Sequence, residues 1–381
     1  VGSAELGIFH RGDASQIGLF PGRVLDNPYS GNVIDLCPVG ALTSTAYRFQ
    51  SRPWDLVRRI DSTCALCSRG CSITFDVRHR QRPGAQVLRI RPRHNAAVNG
   101  YWMCDEGRFG ARRYTEGARL ARPVLRWGGG PVEAEWDEAL RGLATSLRGL
   151  LDRRGPRAVG VIASAYLTNE ELYLVRRFAA DVLGTPHLDH RLRPAQAPGD
   201  DQPEDPLLRR TDPAPNTAGA RLLGLRPGPD GLDAAGMVRA AAGGRLQGLL
   251  LLGEDLEREL PPGLVEPASL VRLDLLVVRN LFAHPLGERA HVFLPATSYV
   301  EKTGTFTNFE GRVQRVAPAL EAPKTALPLG EVLAELARRL GTPLGVPTAP
   351  AAAWQALAAE TPALAGIAWE AIGPDGVPAR T

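Results

Sequence analysis

From residue 136 the apolar positions fall at helical spacing. Leu140, Leu143, Leu147, Leu150 and Leu151 share one stripe, which predicts an amphipathic helix over 136–151. Residues 158–163 follow as a short, continuously apolar run of the kind that forms a buried strand. Thr168-Asn169-Glu170-Glu171 then reads as a capping box, with Thr168 as N-cap, opening a helix that runs towards Leu183-Gly184. Residues 249–252, 275–278 and 291–294 are further strand-like runs, with helical patterns between some of them. Strands alternating with helices predict an open parallel sheet covered on both faces, a doubly wound α/β unit.

The first hundred residues have a different texture. Residues 1–50 are rich in Gly, Pro and Asn and show little sustained periodicity, as in a fragment of a small loop-rich domain. Residues 51–54 read as a linker. Residues 72–77 and 87–91 alternate like the two strands of a hairpin, with Pro83-Gly84 as the turn. Residues 193–218 are rich in Pro and Asp and predict a long loop or a partly disordered crossing. Residues 340–381 are rich in Ala and Pro; a short helix is expected at 351–359 and a loose end after it. No internal repeat is visible.

Composition sets limits without pointing to chemistry. The 381 residues suffice for two or three domains, and 44% hydrophobic with 23% charged residues is ordinary for a globular chain. The longest apolar runs are too short to cross a bilayer. No signal peptide is visible, and the chain opens Val1-Gly2-Ser3 without an initiator Met, so residue 1 is not expected to be the natural start. The net charge of +4 is mild and gives no cause to expect a nucleic-acid partner. Arg78, Arg80, Arg82, Arg89, Arg91 and Arg93 cluster, which reads as a solvated strand face or, alternatively, a docking surface.

The cysteines change the picture. Four of the five stand as Cys64-x2-Cys67-x3-Cys71-x32-Cys104. Three thiolates within eight residues, closed by a fourth from a separate piece of chain, is how a protein holds a [4Fe-4S] cube. The uneven spacing differs from the paired knuckles of zinc ribbons, although zinc and unligated thiols remain the alternatives. Backbone N–H groups of Ser68, Arg69 and Gly70 are expected to face the cluster sulfurs, and the nearby arginines to raise its potential. His187 and His190 form only a weak metal pair; His284 and His291 read as structural.

Three stretches carry a resemblance. The segment from Cys64 to Gly110, ending Cys104-Asp105-Glu106-Gly107-Arg108-Phe109-Gly110, resembles the iron–sulfur segment of the molybdopterin oxidoreductase superfamily. Residues 293–314 are similar to a second signature of that superfamily, which lies near the pterin in catalytic members; here Gly304-Thr305-Phe306-Thr307-Asn308 reads as turn chemistry. Residues 30–43, with Cys37-Pro38-Val39-Gly40-Ala41-Leu42-Thr43, and then Arg52-Pro53-Trp54-Asp55-Leu56, resemble the large iron–sulfur subunit of respiratory NADH–quinone oxidoreductase, complex I.

The resemblance implies an α/β protein: a small loop-rich [4Fe-4S] domain followed by a doubly wound, molybdopterin-oxidoreductase-like domain. Its parts would be a ferredoxin-like remnant (1–50), the [4Fe-4S] domain (51–118), a degenerate α/β domain (119–340) and an Ala/Pro-rich segment (341–381). It implies one [4Fe-4S] cluster on Cys64, Cys67, Cys71 and Cys104. Cys37 would be the fourth ligand of a second cluster whose other ligands lie upstream. No molybdopterin is expected: Glu106 stands where catalytic relatives place a Lys, and no Cys follows Cys104 to ligate the metal. The implied role is electron transfer, without a catalytic site of its own. The implied partners are the flavin-binding and quinone-proximal iron–sulfur subunits of the peripheral arm, on the cytoplasmic face of the bacterial inner membrane, without direct membrane insertion. The alternatives are a catalytic molybdenum or tungsten enzyme, such as a formate dehydrogenase alpha subunit, and a scaffold in which the cube only staples the fold.

Overall fold

The computed structural model describes residues 3–78, 86–190, 204–253, 270 and 272–380. The chain begins with a two-stranded antiparallel hairpin, β1 (Leu6–Phe9) and β2 (Gln16–Leu19), and a short helix α1 (Asn32–Leu36) that ends at Cys37. A three-stranded antiparallel sheet follows: β3 (Arg58–Thr63), β4 (Ser72–Arg78) and β5 (Gln86–Pro92), with β4 in the centre. The expected pairing of 72–77 with 87–91 is present, while β3 is an addition that the sequence pattern did not reveal. Its turn at Pro83-Gly84 lies outside the described residues. Two short helices, α2 (Asp105–Phe109) and α3 (Arg112–Glu116), complete this part.

The rest is built on a seven-stranded sheet. Its elements are β6 (Val124–Leu125), β7 (Val132–Glu133), α4 (Trp136–Arg154), β8 (Val159–Ala163), α5 (Asn169–Arg177), β9 (Leu188–His190), α6 (Thr217–Leu222), α7 (Ala234–Ala242), β10 (Gly248–Leu252), β11 (Leu275–Asn280) and β12 (Val292–Pro295). The strand order is β7-β6-β12-β11-β10-β8-β9. The five strands from β12 to β9 are parallel, and the β6–β7 hairpin adds an antiparallel edge that the sequence pattern did not announce.

Strand β10 shows why the sheet is covered twice. Leu250 and Leu252 enter one core with α4 and α5, while Leu249 and Leu251 enter a second core with Met237, Ala240 and Ala241 of α7. Successive side chains of a strand point to opposite faces, so a continuous apolar run needs helices on both sides. The stripe Leu140, Leu143, Leu147 and Leu150 of α4 is buried as predicted; each such side chain contributes about 1.5–3 kcal/mol by leaving water. The capping box of α5 is present: Glu171 N–H donates to Thr168 Oγ1 at 3.2 Å, and Thr168 N–H to Glu171 Oε2 at 3.0 Å.

A second small sheet joins β13 (Gly304–Thr307), β14 (Arg312–Val316) and, after helices α8 (Leu329–Leu340) and α9 (Pro350–Glu360), β15 (Val377–Pro378). Two expectations are corrected here. Residues 304–307 are strand, because Thr305 and Thr307 pair with β14 and accept from Asn169 Nδ2 at 2.9 and 3.0 Å. The chain end is not loose through Arg380: β15 pairs with β14, and Arg380 N–H donates to the carbonyl of Ala363 at 2.7 Å. Within the expected long loop, residues 204–216 form an ordered crossing with buried Leu208, Ala214 and Asn216.

Candidate iron–sulfur site

The loop between β3 and β4 carries Cys64, Cys67 and Cys71, and Cys104 caps α2 from the far side. Antiparallel pairing of β3 and β4 brings the loop ends together, with Cys64 N–H donating to the Cys71 carbonyl at 2.8 Å. The loop can tighten because Gly70 has a positive φ of 65°, which L side chains rarely adopt. All four cysteines are buried. Gly107 admits two of them: a β-carbon there would stand 3.3 Å from Cys64 Sγ and 3.7 Å from Cys104 Sγ.

Of the three backbone donors expected at the sulfurs, only that of Arg69 is found there. Ser68 N–H is spent on the Asp212 carbonyl at 2.9 Å, and Gly70 N–H points to the Cys67 carbonyl at 3.4 Å. The sulfurs are served by Arg69 and by amides from elsewhere in the chain. Gly107 N–H reaches Cys104 Sγ at 3.4 Å, Leu66 N–H serves Cys64, and Arg69 and Arg210 N–H serve Cys67. Arg210 belongs to the 204–216 crossing, so a segment read as a polar loop contributes a donor to the site.

Burial pushes all four thiols above the ordinary thiol value, Cys104 to about 12. At Cys64, Cys71 and Cys104 the crowding of the other thiols adds to it. Four thiolates in so dry a pocket need a cationic core, which a metal cluster supplies while displacing the thiol protons. Among the described residues no three His, Cys, Asp or Glu side chains surround a single ion position. A cube does not require that, since its irons are spread over the thiolates. The donor set therefore fits a [4Fe-4S] cluster.

The cluster loop is gripped from the α/β part by the stretch 293–314. Asn308 Nδ2 donates to the Arg69 carbonyl at 3.3 Å, Phe309 N–H to the Ser68 carbonyl at 2.9 Å, and Gln314 Nε2 to the Gly70 carbonyl at 2.7 Å. The Arg69 guanidinium lies over the Phe309 ring, 4.8 Å from its centroid. On the other side it donates to the carbonyls of Leu207 and Leu208 at 3.1 and 3.3 Å.

Among the described residues of the arginine cluster, each guanidinium is engaged within the chain. Asp76 on β4 is fully buried and takes hydrogen bonds from Arg89 and Arg91 on β5. Burial alone would raise this carboxyl; the two guanidinium groups outweigh it and hold it below its usual range. Arg93 pairs with Asp375, and Arg78 donates to Gln86 and to the Gln50 carbonyl. Arg80 and Arg82 lie outside the described residues. The cations felt at the thiols are instead Arg69, at Cys67 and Cys71, and Arg209, at Cys104.

Cys37 is elsewhere and half-buried. It ends α1, and the amides of Leu42, Ala41, Val39 and Gly40 curl around its sulfur, with Leu42 N–H at 3.5 Å. These donors lower its pKa, the opposite of the four buried thiols. It lines a groove of about 720 Å³ together with Arg48, Arg52 and Arg112.

His187 and His190 do not form a metal pair. They lie on extended chain, where His187 Nε2 bonds the Arg157 carbonyl at 3.1 Å and its Nδ1 accepts from Leu232 N–H at 3.0 Å. His291 Nδ1 accepts from Leu276 N–H at 2.9 Å, the structural role expected of it. Among the described residues no helix is long and apolar enough to cross a membrane.

Comparisons with known proteins agree with this geometry. The family model described as NADH-quinone oxidoreductase subunit 3, ferredoxin-like domain, matches residues 1–43. The molybdopterin oxidoreductase Fe4S4 domain matches 57–115, and the molybdopterin oxidoreductase family matches 119–205 and 216–339. An NADH-quinone oxidoreductase subunit of Streptomyces coelicolor is 31% identical over 88% of this chain and 38% of its own length. Subunit 3 of the Thermus thermophilus enzyme is 42% identical over 45% of this chain and 20% of its own length. The mitochondrial 78 kDa subunit of Neurospora crassa NADH-ubiquinone oxidoreductase is 38% identical over 49% and 24%. The chain spans well under half the length of these relatives. With a family model matching more than half of its residues, the chain belongs to the molybdopterin oxidoreductase family.

Proposed function

We propose that this chain is an iron–sulfur electron-transfer subunit of an NADH–quinone oxidoreductase, with Cys64, Cys67, Cys71 and Cys104 as ligands of one [4Fe-4S] cluster. The observation that carries the reading is the meeting of four buried thiols from two separate pieces of chain, with Cys64 and Cys104 both against Gly107. When bound, such a cluster takes up and releases one electron at a time. The chain's own residues do the rest. Leu66, Arg69, Gly107 and Arg210 direct amides at the sulfurs, which favours the more negative reduced state. Arg69 and Arg209 add positive charge, and the 204–216 crossing and β14 keep water out.

Cys37 is the fourth ligand of a second cluster whose other ligands are not among these five cysteines. Its half-exposed sulfur and ring of amides suit a ligand waiting for the rest of its site. The partners are the flavin-binding and quinone-proximal iron–sulfur subunits of a peripheral arm at the cytoplasmic face of the membrane. Relatives named as subunits of that enzyme support this.

The same reading has no molybdopterin in the α/β part. Several polar side chains of residues 293–314, similar to the stretch beside the pterin in catalytic relatives, are engaged within their own chain. Asn169 bonds Thr305 and Thr307, Thr305 bonds Glu170, and Asn308 and Gln314 hold the cluster loop. Glu106 also puts a negative charge where catalytic relatives carry a Lys.

The test is anaerobic purification followed by iron, sulfide and molybdenum analysis and EPR after dithionite reduction. About four irons and four sulfides per chain with one reduced-cluster signal are expected. Stoichiometric molybdenum with pterin would overturn the reading in favour of a catalytic enzyme. Zinc without sulfide would remove electron transfer from this chain.

A further inference from the structure

The segment that ends in Cys37 is bolted to the turn that follows Cys104. Asp105 is the next residue after Cys104. Its Oδ1 accepts from Gly31 N–H at 2.8 Å, its Oδ2 accepts from the Ser30 hydroxyl at 2.5 Å, and its own N–H donates to the Pro28 carbonyl at 2.7 Å. Just before Cys104, Met103 exchanges two hydrogen bonds with the buried side chain of Asn32. One turn further along α2, the buried Arg108 reaches Asp35 Oδ2 at 2.5 Å, two residues ahead of Cys37, and also the Ile90 carbonyl on β5. The fit is close: a β-carbon on Gly31 would lie 2.6 Å from Arg108 Cδ and 2.8 Å from Asp105 Oδ1.

We infer that Asp105 and Arg108 are positioning residues for Cys37, and that filling the Cys64–Cys104 site orders the ligand segment of the second site through them. The inference rests on the reading of Cys64, Cys67, Cys71 and Cys104 as cluster ligands. The physical chain is short. Binding iron at Cys104 fixes the first turn of α2; that turn carries Asp105 and Arg108; these hold both ends of α1; and α1 ends at Cys37. A partly buried carboxylate accepting two donors and a buried guanidinium on a carboxylate are strong, directional contacts. They transmit position where a surface ion pair would not.

The experiment is amide hydrogen exchange of the whole chain, reconstituted with iron and sulfide and compared with the iron-free chain. In the unaltered protein, amides of residues 30–36 are expected to exchange about tenfold more slowly when loaded, the scale of one well-made charged hydrogen bond. In Asp105→Asn and Arg108→Gln that difference disappears, while the iron and sulfide content and the EPR signal of the Cys64–Cys104 site stay as they were. Arg108→Lys, which keeps the charge, restores part of the difference. Should the Asp105 or Arg108 variants lose iron, Ser30→Ala and Asp35→Asn cut the same contacts from the α1 side and are expected to uncouple 30–36 with the cluster intact. Exchange at 30–36 that ignores loading in the unaltered chain, or loading-linked protection that survives in the α1-side variants, overturns the inference. A chain that binds no iron and sulfide at all fails at the analytical step, so the underlying reading falls there, visibly apart from the exchange result, and takes the coupling with it.

Discussion

Gln314 donates from its Nε2 to the carbonyl of Gly70 at 2.7 Å, so a strand of the α/β part holds the tightest point of the cysteine loop. A methyl group at residue 70 would meet Gln314 Oε1 at 2.6 Å, on a backbone with φ of 65°. Gly70→Ala is expected to cost about 1–2 kcal/mol from the left-handed backbone alone. The displaced amide adds about 1 kcal/mol more. Chemical denaturation of the reconstituted chain checks it, and an unchanged midpoint would mean that the loop is not held here.

Asp76 is the common counter-ion of Arg89 and Arg91. Asp76→Asn leaves two guanidinium groups facing each other, but both are about one-third exposed and can turn to water. The expected loss is therefore about 2–3 kcal/mol, below that for a fully buried pair. The carboxyl is held below its ordinary 3.8, so its contribution is present above that value and is lost as the pH falls through the depressed folded value. A stability difference between wild type and variant that persists undiminished well below pH 3 would contradict this.

Glu170 has the opposite sign. Burial pushes it up to about 7 from an ordinary 4.5, although Thr305 donates to it from both its N–H and its hydroxyl. Protonated Glu170 stabilises the fold fully below 4.5, and that contribution is lost as the pH rises through about 7. Glu170→Gln is expected to gain on wild type over this window, by up to about 3 kcal/mol. Thermal midpoints of both proteins at pH 4.5, 6 and 8 would show it; parallel curves would not be compatible with it.

The two kinds of cysteine separate under substitution. Cys104→Ser is expected to lose most of the bound iron and to raise exchange through residues 60–115. Cys37→Ser is expected to leave iron, sulfide and EPR signal of this chain as they are. Equal loss in both variants would place Cys37 at the same cluster, against the geometry.

Much of the α/β part was legible because its signals are local. The stripe of α4, the capping box at Thr168 and Glu171, and the apolar runs of β8, β10, β11 and β12 each report on their own neighbours. The cysteine spacing was legible for the same reason. What stayed hidden is long-range and is carried by backbone groups. Asp212, Leu207 and Leu208 hold the cluster loop through their carbonyls, and Arg210 serves Cys67 through its N–H, so side-chain periodicity says nothing of either. The role of Asp105 and Arg108 is hidden likewise, since Asp35 lies 73 residues from its partner. The Leu207-Leu208 pair in this polar loop is one usable sign: Leu208 is buried and anchors the crossing.

The contact between Gly70 and Gln314 spans 244 residues. At about 5–20 residues per second, the ribosome needs on the order of 12–50 s to travel that distance. During that interval the cysteine loop, Cys104 and the Asp212 crossing emerge in turn, but β14, which closes over Gly70, does not yet exist. The nascent chain thus exposes thiols that the finished protein hides. A cluster enclosed as in the finished fold therefore waits for β14, and until that strand is made the sulfurs of the cysteine loop stay open to oxidation.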